Sequence, residues 1–374
     1  MTDAQQHEAD RATGAPHPRR TVRLYGQSAA EATFLDAFNS GRLHHGWLLT
    51  GPRGVGKATL AWRIARFLLT RSDAGGDQPG GPDPVGSLDA DPAAAVCRRL
   101  AQLAEPRAFL LRPVWDDERK RFKQGITIDE VRRLKNFFHM SAADAGSRVV
   151  IVDAADEMNT SAANALLKLL EEPPEGAVLL LVSHQPARLL PTIRSRCRAL
   201  RLATLNPEDM AAALAGSGIG ATERPEALAA LAGGSVGQAI RMITMNGLGH
   251  YGQLVALMQG APHIDRPAAI ALADAAAVRG DVDQFAFMAD LLDIFLSRLA
   301  RTGIAGPPEG QAAPGEAVLF VRLAPDAGAA RHWARLQQSL GARARQGHAV
   351  NLDPAALFLD TLLKINDAAR DMAA

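Results

Sequence analysis

Gly51-Pro52-Arg53-Gly54-Val55-Gly56-Lys57 is the stretch on which the reading of the fold turns. It follows the short apolar run Gly46-Trp47-Leu48-Leu49-Thr50 and precedes helical periodicity over residues 58–70. Strand, glycine-rich turn and helix in that order make a phosphate-binding loop. The glycines let successive backbone N–H groups converge on phosphate oxygens, the helix adds its positive end, and a lysine reaches the outer phosphates. Gly51, Gly54, Gly56 and Lys57 stand in the required places. The last place does not conform. A Ser or Thr should follow the lysine and give its hydroxyl to Mg²⁺, but Ala58 stands there. Thr59 lies about 100° further round a helix of about 3.6 residues per turn, poorly placed to substitute. Two readings stay open: a relic loop that holds nothing, or a cradle that holds ATP or ADP without turnover.

A second signal points the same way. Val149-Val150-Ile151-Val152 reads as a buried strand that delivers Asp153 to its carboxyl end, where a nucleotide-bound Mg²⁺ would sit. The glutamate that would orient an attacking water is missing, because Ala154 follows. Asp156 and Glu157 lie past the strand and read as first-turn acids of a helix capped by Asn159 or Thr160.

Outward from these motifs, residues 31–40 read as a helix ended by Gly41, and 129–139 as an amphipathic helix with Val131, Leu134 and Phe138 on one side. Residues 162–172 read as a helix stopped by Pro173-Pro174, and 178–182 as a third strand. Alternating strands and helices predict a parallel α/β sheet with helices on both faces. Residues 72–92 are dense in Gly, Pro, Asp and Ala and read as a solvated insertion near 72–95. Beyond about residue 205 the strand signals stop. Asn206-Pro207-Glu208 opens a helical stretch reaching about 246, and helical patterns continue to 374, broken by a Gly/Pro-rich segment at 303–315. Residues 1–20, polar and rich in His and Pro, read as a disordered arm.

Composition bounds the function classes. The chain has 374 residues, 47% of them hydrophobic, and 41 bases against 40 acids give a formal charge of +1. Two or three domains are expected, and a strongly basic nucleic-acid wrapper is not. Cys97 and Cys197 are the two cysteines, too few for a disulfide framework or a four-ligand zinc site, and they suit a reducing cytoplasm. The start of the sequence lacks a signal-peptide core, and no apolar run nears the ~20 residues of a membrane span. His44-His45 would point to opposite faces of a strand and so chelate one ion poorly. The run from Asp116 to Arg121 reads as a solvated charge cluster, and the segment from Leu357 to Leu363 as core by its spacing.

Longer matches carry a resemblance. Asn164-Ala-Leu-Leu-Lys-Leu-Leu-Glu-Glu-Pro-Pro174, Leu190-Pro-Thr-Ile-Arg-Ser-Arg-Cys197 and Gly125-Ile-Thr-Ile-Asp-Glu-Val-Arg132, with residues 46–57, resemble the AAA+ clamp-loader family of bacterial DNA polymerase III over about residues 22–245. Within that family the chain resembles the non-motor, delta-prime type. The resemblance implies a RecA-like AAA+ domain over 21–204, a helical lid over 205–247 and an all-α collar, the oligomerisation domain, over 248–374. It also implies that Arg196, framed by Ser195 and Cys197, acts in trans as an arginine finger on a neighbour's ATP; an ever-charged guanidinium suits the charge on transferring phosphoryl oxygens. The family's sensor-2 arginine position falls on Gly237. Ala58, Ala154 and Gly237 together argue against intrinsic catalysis. The delta-prime type usually carries a Cys-rich zinc module between the two nucleotide motifs; only Cys97 stands there, so no zinc and no required cofactor are expected.

The expected partners are gamma/tau-type and delta subunits, with a sliding clamp and primed DNA reached through the complex, in a cytoplasmic, nucleoid-associated replisome and away from membranes. Two other readings compete. One is an ATP-hydrolysing motor of the same machine or a related P-loop ATPase. The other is a stand-alone nucleotide-binding scaffold.

Overall fold

The structure is a computed structural model of all 374 residues. Residues 8–73, 83–118, 121–123, 125–140, 146–220, 224–278, 280 and 283–372 are described. The chain divides into two compact units: residues 1–220 with 234–238, and residues 221–233 with 239–374. The helical stretch expected over 205–247 holds α7 (Pro207–Gly216), α8 (Pro225–Ala232) and α9 (Val236–Thr244), and it is shared between the two.

The first unit is built on a parallel sheet of five strands in the order β2 (Ala108–Leu111), β5 (Arg148–Asp153), β6 (Ala177–Ser183), β1 (Gly46–Thr50), β7 (Arg198–Arg201). Leu48 pairs with Leu181 on one side of β1 and with Ala199 on the other, and Val150 of β5 pairs with Leu179. β6 is buried throughout and β5 from Val149 onward, which is why both read as unbroken apolar runs. Edge strand β7 buries only Leu200 and escapes a sequence search, as does short β2. Helices α1 (Ser28–Asn39), α2 (Lys57–Asp73), α4 (Ile128–Met140) and α5 (Thr160–Glu171) cover the sheet close to their expected ranges. Asn159 caps α5 by accepting from Ala162 N at 2.8 Å. Leu48, Leu134, Val150, Val152, Leu166, Leu179 and Leu181 share one core cluster.

Two expectations need correction. Residues 8–20 are not a loose arm, and residues 1–7 of the expected arm lie outside the described residues. His17 caps a 3₁₀ turn over Pro18–Arg20, and its Nδ1 accepts from Arg19 N at 3.1 Å. Arg19 is buried against Glu8, Asp10 pairs with Arg112, and Arg66 of α2 donates to the carbonyls of Arg19 and Thr21. Ion pairs rather than apolar residues hold this segment, so its composition hid it. His44 and His45 do not diverge: they lie ahead of β1, and their rings stack at 4.4 Å. His44 Nδ1 lies 2.9 Å from Gly46 O and His45 Nε2 lies 2.9 Å from Leu170 O, a structural use of both rings. The charge run is solvated where it is described, with Asp117 and Glu118 exposed, while Arg119 and Lys120 lie outside the described residues. Its ends pair antiparallel as β3 (Trp115–Asp116) with β4 (Arg121–Phe122), whose Trp115 and Phe122 rings meet edge-on at 5.1 Å.

Of the Gly/Pro-rich insertion, residues 74–82 lie outside the described residues. From residue 83 it is fixed at points: the Asn39 amide bonds Val85 in both directions, and Leu88 is buried. Cys97 is buried on the short helix α3 (Ala95–Ala101), with its Sγ 3.8 Å from Thr70 Oγ1. Among the described residues no cluster of three or more His, Cys, Asp or Glu could hold a metal ion, and no helix is long and apolar enough to cross a membrane.

The second unit is helical. α10 (Gly247–Gln259), α11 (Arg266–Ala276), α12 (Gln284–Ala305), α13 (Glu316–Leu323), α14 (Ala327–Ala349) and α15 (Pro354–Asp371) pack around Tyr251, Phe287, Phe295, Phe320, Trp333 and Phe358, all buried. Leu357, Phe358 and Leu362 are in the core, as their spacing predicts. Glu316 is fully buried and satisfied: it accepts from Tyr251 Oη at 2.5 Å, Arg298 Nε at 2.8 Å and Ala312 N at 2.6 Å. The last bond ties down the Gly/Pro-rich segment before α13.

Candidate functional site

The loop after β1 has the shape its glycines predict. Gly51, Gly54 and Gly56 all hold positive φ, at 143°, 79° and 103°, where a side chain would be strained. A Cβ on Gly56 would come within 2.5 Å of Leu24 Cδ1, so the chain upstream of α1 packs on the loop. Thr59 stands half-buried in the first turn of α2, one place beyond Ala58.

Lys57 is buried, and its Nζ donates to the carbonyls of Gly51 at 2.8 Å and Pro52 at 2.5 Å. Burial lowers its amine to about 8, against the pull of Asp153 and Asp156. Asp153 ends β5 and is also buried. Burial, with Asp10 and Glu157 adding to it, pushes its carboxyl up to about 7 despite Lys57 and Arg53. Both groups thus shift in the direction desolvation dictates. Their mutual attraction is too weak to hold both fully charged near neutrality.

A second segment closes on the loop. Ser235 Oγ donates to Arg53 O at 2.8 Å, and Gly237 N donates to Gly54 O at 3.0 Å. A Cβ on Gly237 would lie 3.0 Å from Gly54 Cα. Position 237, which the resemblance gives to the sensor-2 arginine, is therefore in backbone contact with the loop, and a side chain there would press on Gly54.

Sequence reasoning missed Ser183 and His184, at the end of β6. Ser183 Oγ and His184 Nδ1 are buried without a hydrogen-bond partner among the described residues, while His184 N donates to Asp156 Oδ1 at 2.9 Å. Burial, with Lys57 and Arg53 adding to it, lowers the His184 imidazole to about 4. An apolar strand that ends on two polar residues beside the second acidic motif was the signal available. Asp156 therefore anchors the turn after β6, not only the start of a helix. Glu157 lies 3.7 Å from Arg53 on the rim.

Tested against magnesium nucleotide, these residues fit poorly. Lys57 donates to two loop carbonyls, and no hydroxyl follows it to reach the ion.

Arg196 stands apart from this cradle. It caps α6 (Pro191–Ser195), with its side chain 38% exposed. Its Nη2 lies 2.8 Å from Glu171 Oε1, and its Nη1 donates to Thr192 O at 3.2 Å. Cys197 is half-buried, and desolvation pushes its thiol up to about 12, so little thiolate forms near neutral pH.

Residues 26–206 match the family model described as DNA polymerase III, delta subunit. A DNA polymerase III subunit delta' from Pseudomonas aeruginosa is 42% identical over 153 residues, 41% of this chain and 41% of that one. A DNA polymerase III subunit gamma/tau from Mycobacterium tuberculosis is 32% identical over 198 residues, 53% of this chain and 31% of that one. The chain thus spans less than half the length of these curated relatives. A crystal structure of a DNA polymerase III gamma subunit-related protein from Thermotoga maritima covers 90% of this chain and 100% of its own at a TM-score of 0.40 and 17% identity, a likeness too slight to add support.

Parallel sheet, phosphate-loop turn and Asp-ended strand define a P-loop α/β domain with a degenerate nucleotide cradle. Over residues 26–206 the chain is similar to delta and delta' subunits of DNA polymerase III.

Proposed function

We propose that the chain is a non-hydrolysing subunit of a bacterial clamp loader, which presents Arg196 to ATP bound by an adjacent gamma/tau-type subunit and so helps place a sliding clamp on primed DNA. The observation that carries this reading is the contrast between the two cations. Lys57, which would serve this chain's own nucleotide, is buried and bonded to loop carbonyls, whereas Arg196 stands at the surface. A surface guanidinium can stabilise phosphoryl charge supplied from outside. Gly51, Gly54, Gly56, Thr59 and Asp153 then serve the architecture rather than turnover. The delta-type subunit completes the expected assembly, and a cytoplasmic replisome is its setting.

The test is reconstitution with gamma/tau-type and delta-type subunits. Arg196→Ala is expected to leave assembly intact and to lower ATP turnover roughly tenfold or more at the site it faces. Unchanged turnover would refute the finger. The motor reading predicts instead that the isolated chain hydrolyses ATP and loses the activity on Lys57→Ala. The stand-alone scaffold reading predicts that the chain does not co-purify with polymerase subunits.

A further inference from the structure

We infer that Glu171 is a positioning residue for Arg196, holding its guanidinium in one orientation while leaving other N–H groups for a neighbour's phosphate oxygens. This rests on the reading of Arg196 as a finger. The observation is the pair itself: Glu171 Oε1 lies 2.8 Å from Arg196 Nη2, and Thr192 O accepts from Arg196 Nη1 at 3.2 Å. Two of the five guanidinium donors are engaged among the described residues, which leaves others for a phosphate.

Both ends of the pair are fixed from behind. Glu171 is the last residue of α5, beside buried Leu170, whose carbonyl is 2.9 Å from His45 Nε2. It sits at the helix's negative end, which adds to its attraction for a cation. On the other side, a Cβ on Gly46 would lie 3.1 Å from Arg196 O and 3.4 Å from Cys197 Sγ, so the backbone of the Ser195–Arg196–Cys197 turn rests against the start of β1. The side chains are 38% and 48% exposed, so the pair contributes little to stability. Its effect is on order: a long arginine restrained in advance loses less rotamer freedom when the phosphate arrives.

In the reconstituted complex, Glu171→Gln is expected to lower kcat for ATP about two- to fivefold, which is about 0.4–1 kcal/mol at 1.36 kcal/mol per tenfold. The KM for ATP and the assembly should stay unchanged. Glu171→Asp should fall between Gln and wild type, and Glu171→Gln should add nothing in an Arg196→Ala background. An unchanged or raised kcat for Glu171→Gln, an additive double variant, or loss of assembly would overturn the positioning role. If Arg196→Ala itself leaves turnover unchanged, the finger reading fails and Glu171 has nothing to position.

Discussion

Gly237 N donates to Gly54 O at 3.0 Å, and no side chain separates the two backbones. Glycine at 237 therefore does more than omit an arginine: it admits the segment that seals the loop. Gly237→Ala should destabilise the first unit by about 1–3 kcal/mol, since the neighbouring atoms are backbone and cannot rotate away. Urea unfolding followed by tryptophan fluorescence reads this, because Trp47 and Trp62 are buried in that unit. Wild-type stability in Gly237→Ala would show that the loop yields easily.

The buried carboxyl at the end of β5 gives a pH signature. Its folded value of about 7 lies above the ordinary 3.8. As pH rises from about 4 to 7 the unfolded chain ionises Asp153 while the folded chain resists, so this group lowers wild-type stability across that window. Asp153→Asn removes the effect. The variant should match wild type near pH 4 and exceed it by about 1–3 kcal/mol at pH 8. Thermal melts at the two values decide it, and a variant less stable at pH 8 would mean that the ionised carboxylate is stabilising.

The same logic predicts little nucleotide affinity. Calorimetry of the isolated chain with ATP and Mg²⁺ should show no tight complex, because the inward Lys57 would have to leave two carbonyls and no hydroxyl stands at 58 to hold the ion. Tight, magnesium-dependent binding would contradict this account of the cradle.

In the second unit, Glu316 supports one end of α13. Glu316→Gln should cost about 3–5 kcal/mol, because it leaves Arg298 and Tyr251 without the charge they surround. Trp333 fluorescence in urea should report the loss, since its Nε1 donates to Leu323 O at the other end of α13. A midpoint shift within experimental error would place the stability of α13 in its apolar contacts.

Much of this molecule was legible from residue order. The loop at 51–57, the strands ending at Asp153 and Ser183 and the helices around them follow from local rules: apolar runs for buried parallel strands, glycines at positive φ, an Asn cap before α5 and prolines after it. Strands β2 and β7 were not legible, being short and only partly buried. Nor was the turn at 8–20, because ion pairs such as Asp10 with Arg112 join residues far apart in sequence. The helical stretch around 205–247 was found but not its partition, since which unit a short helix joins depends on distant neighbours.

The functional residues divide in the same way. The sequence alone determined which chemical groups are absent, the hydroxyl at 58, the carboxylate at 154 and the guanidinium at 237, because an absence of atoms needs no coordinates. Only the tertiary structure decided what the remaining groups do: that Lys57 turns inward, that Gly237 meets Gly54, and that Glu171 holds Arg196. Those relationships lie between segments tens to hundreds of residues apart or within a turn, where the direction of a side chain is set by packing and no local pattern encodes it.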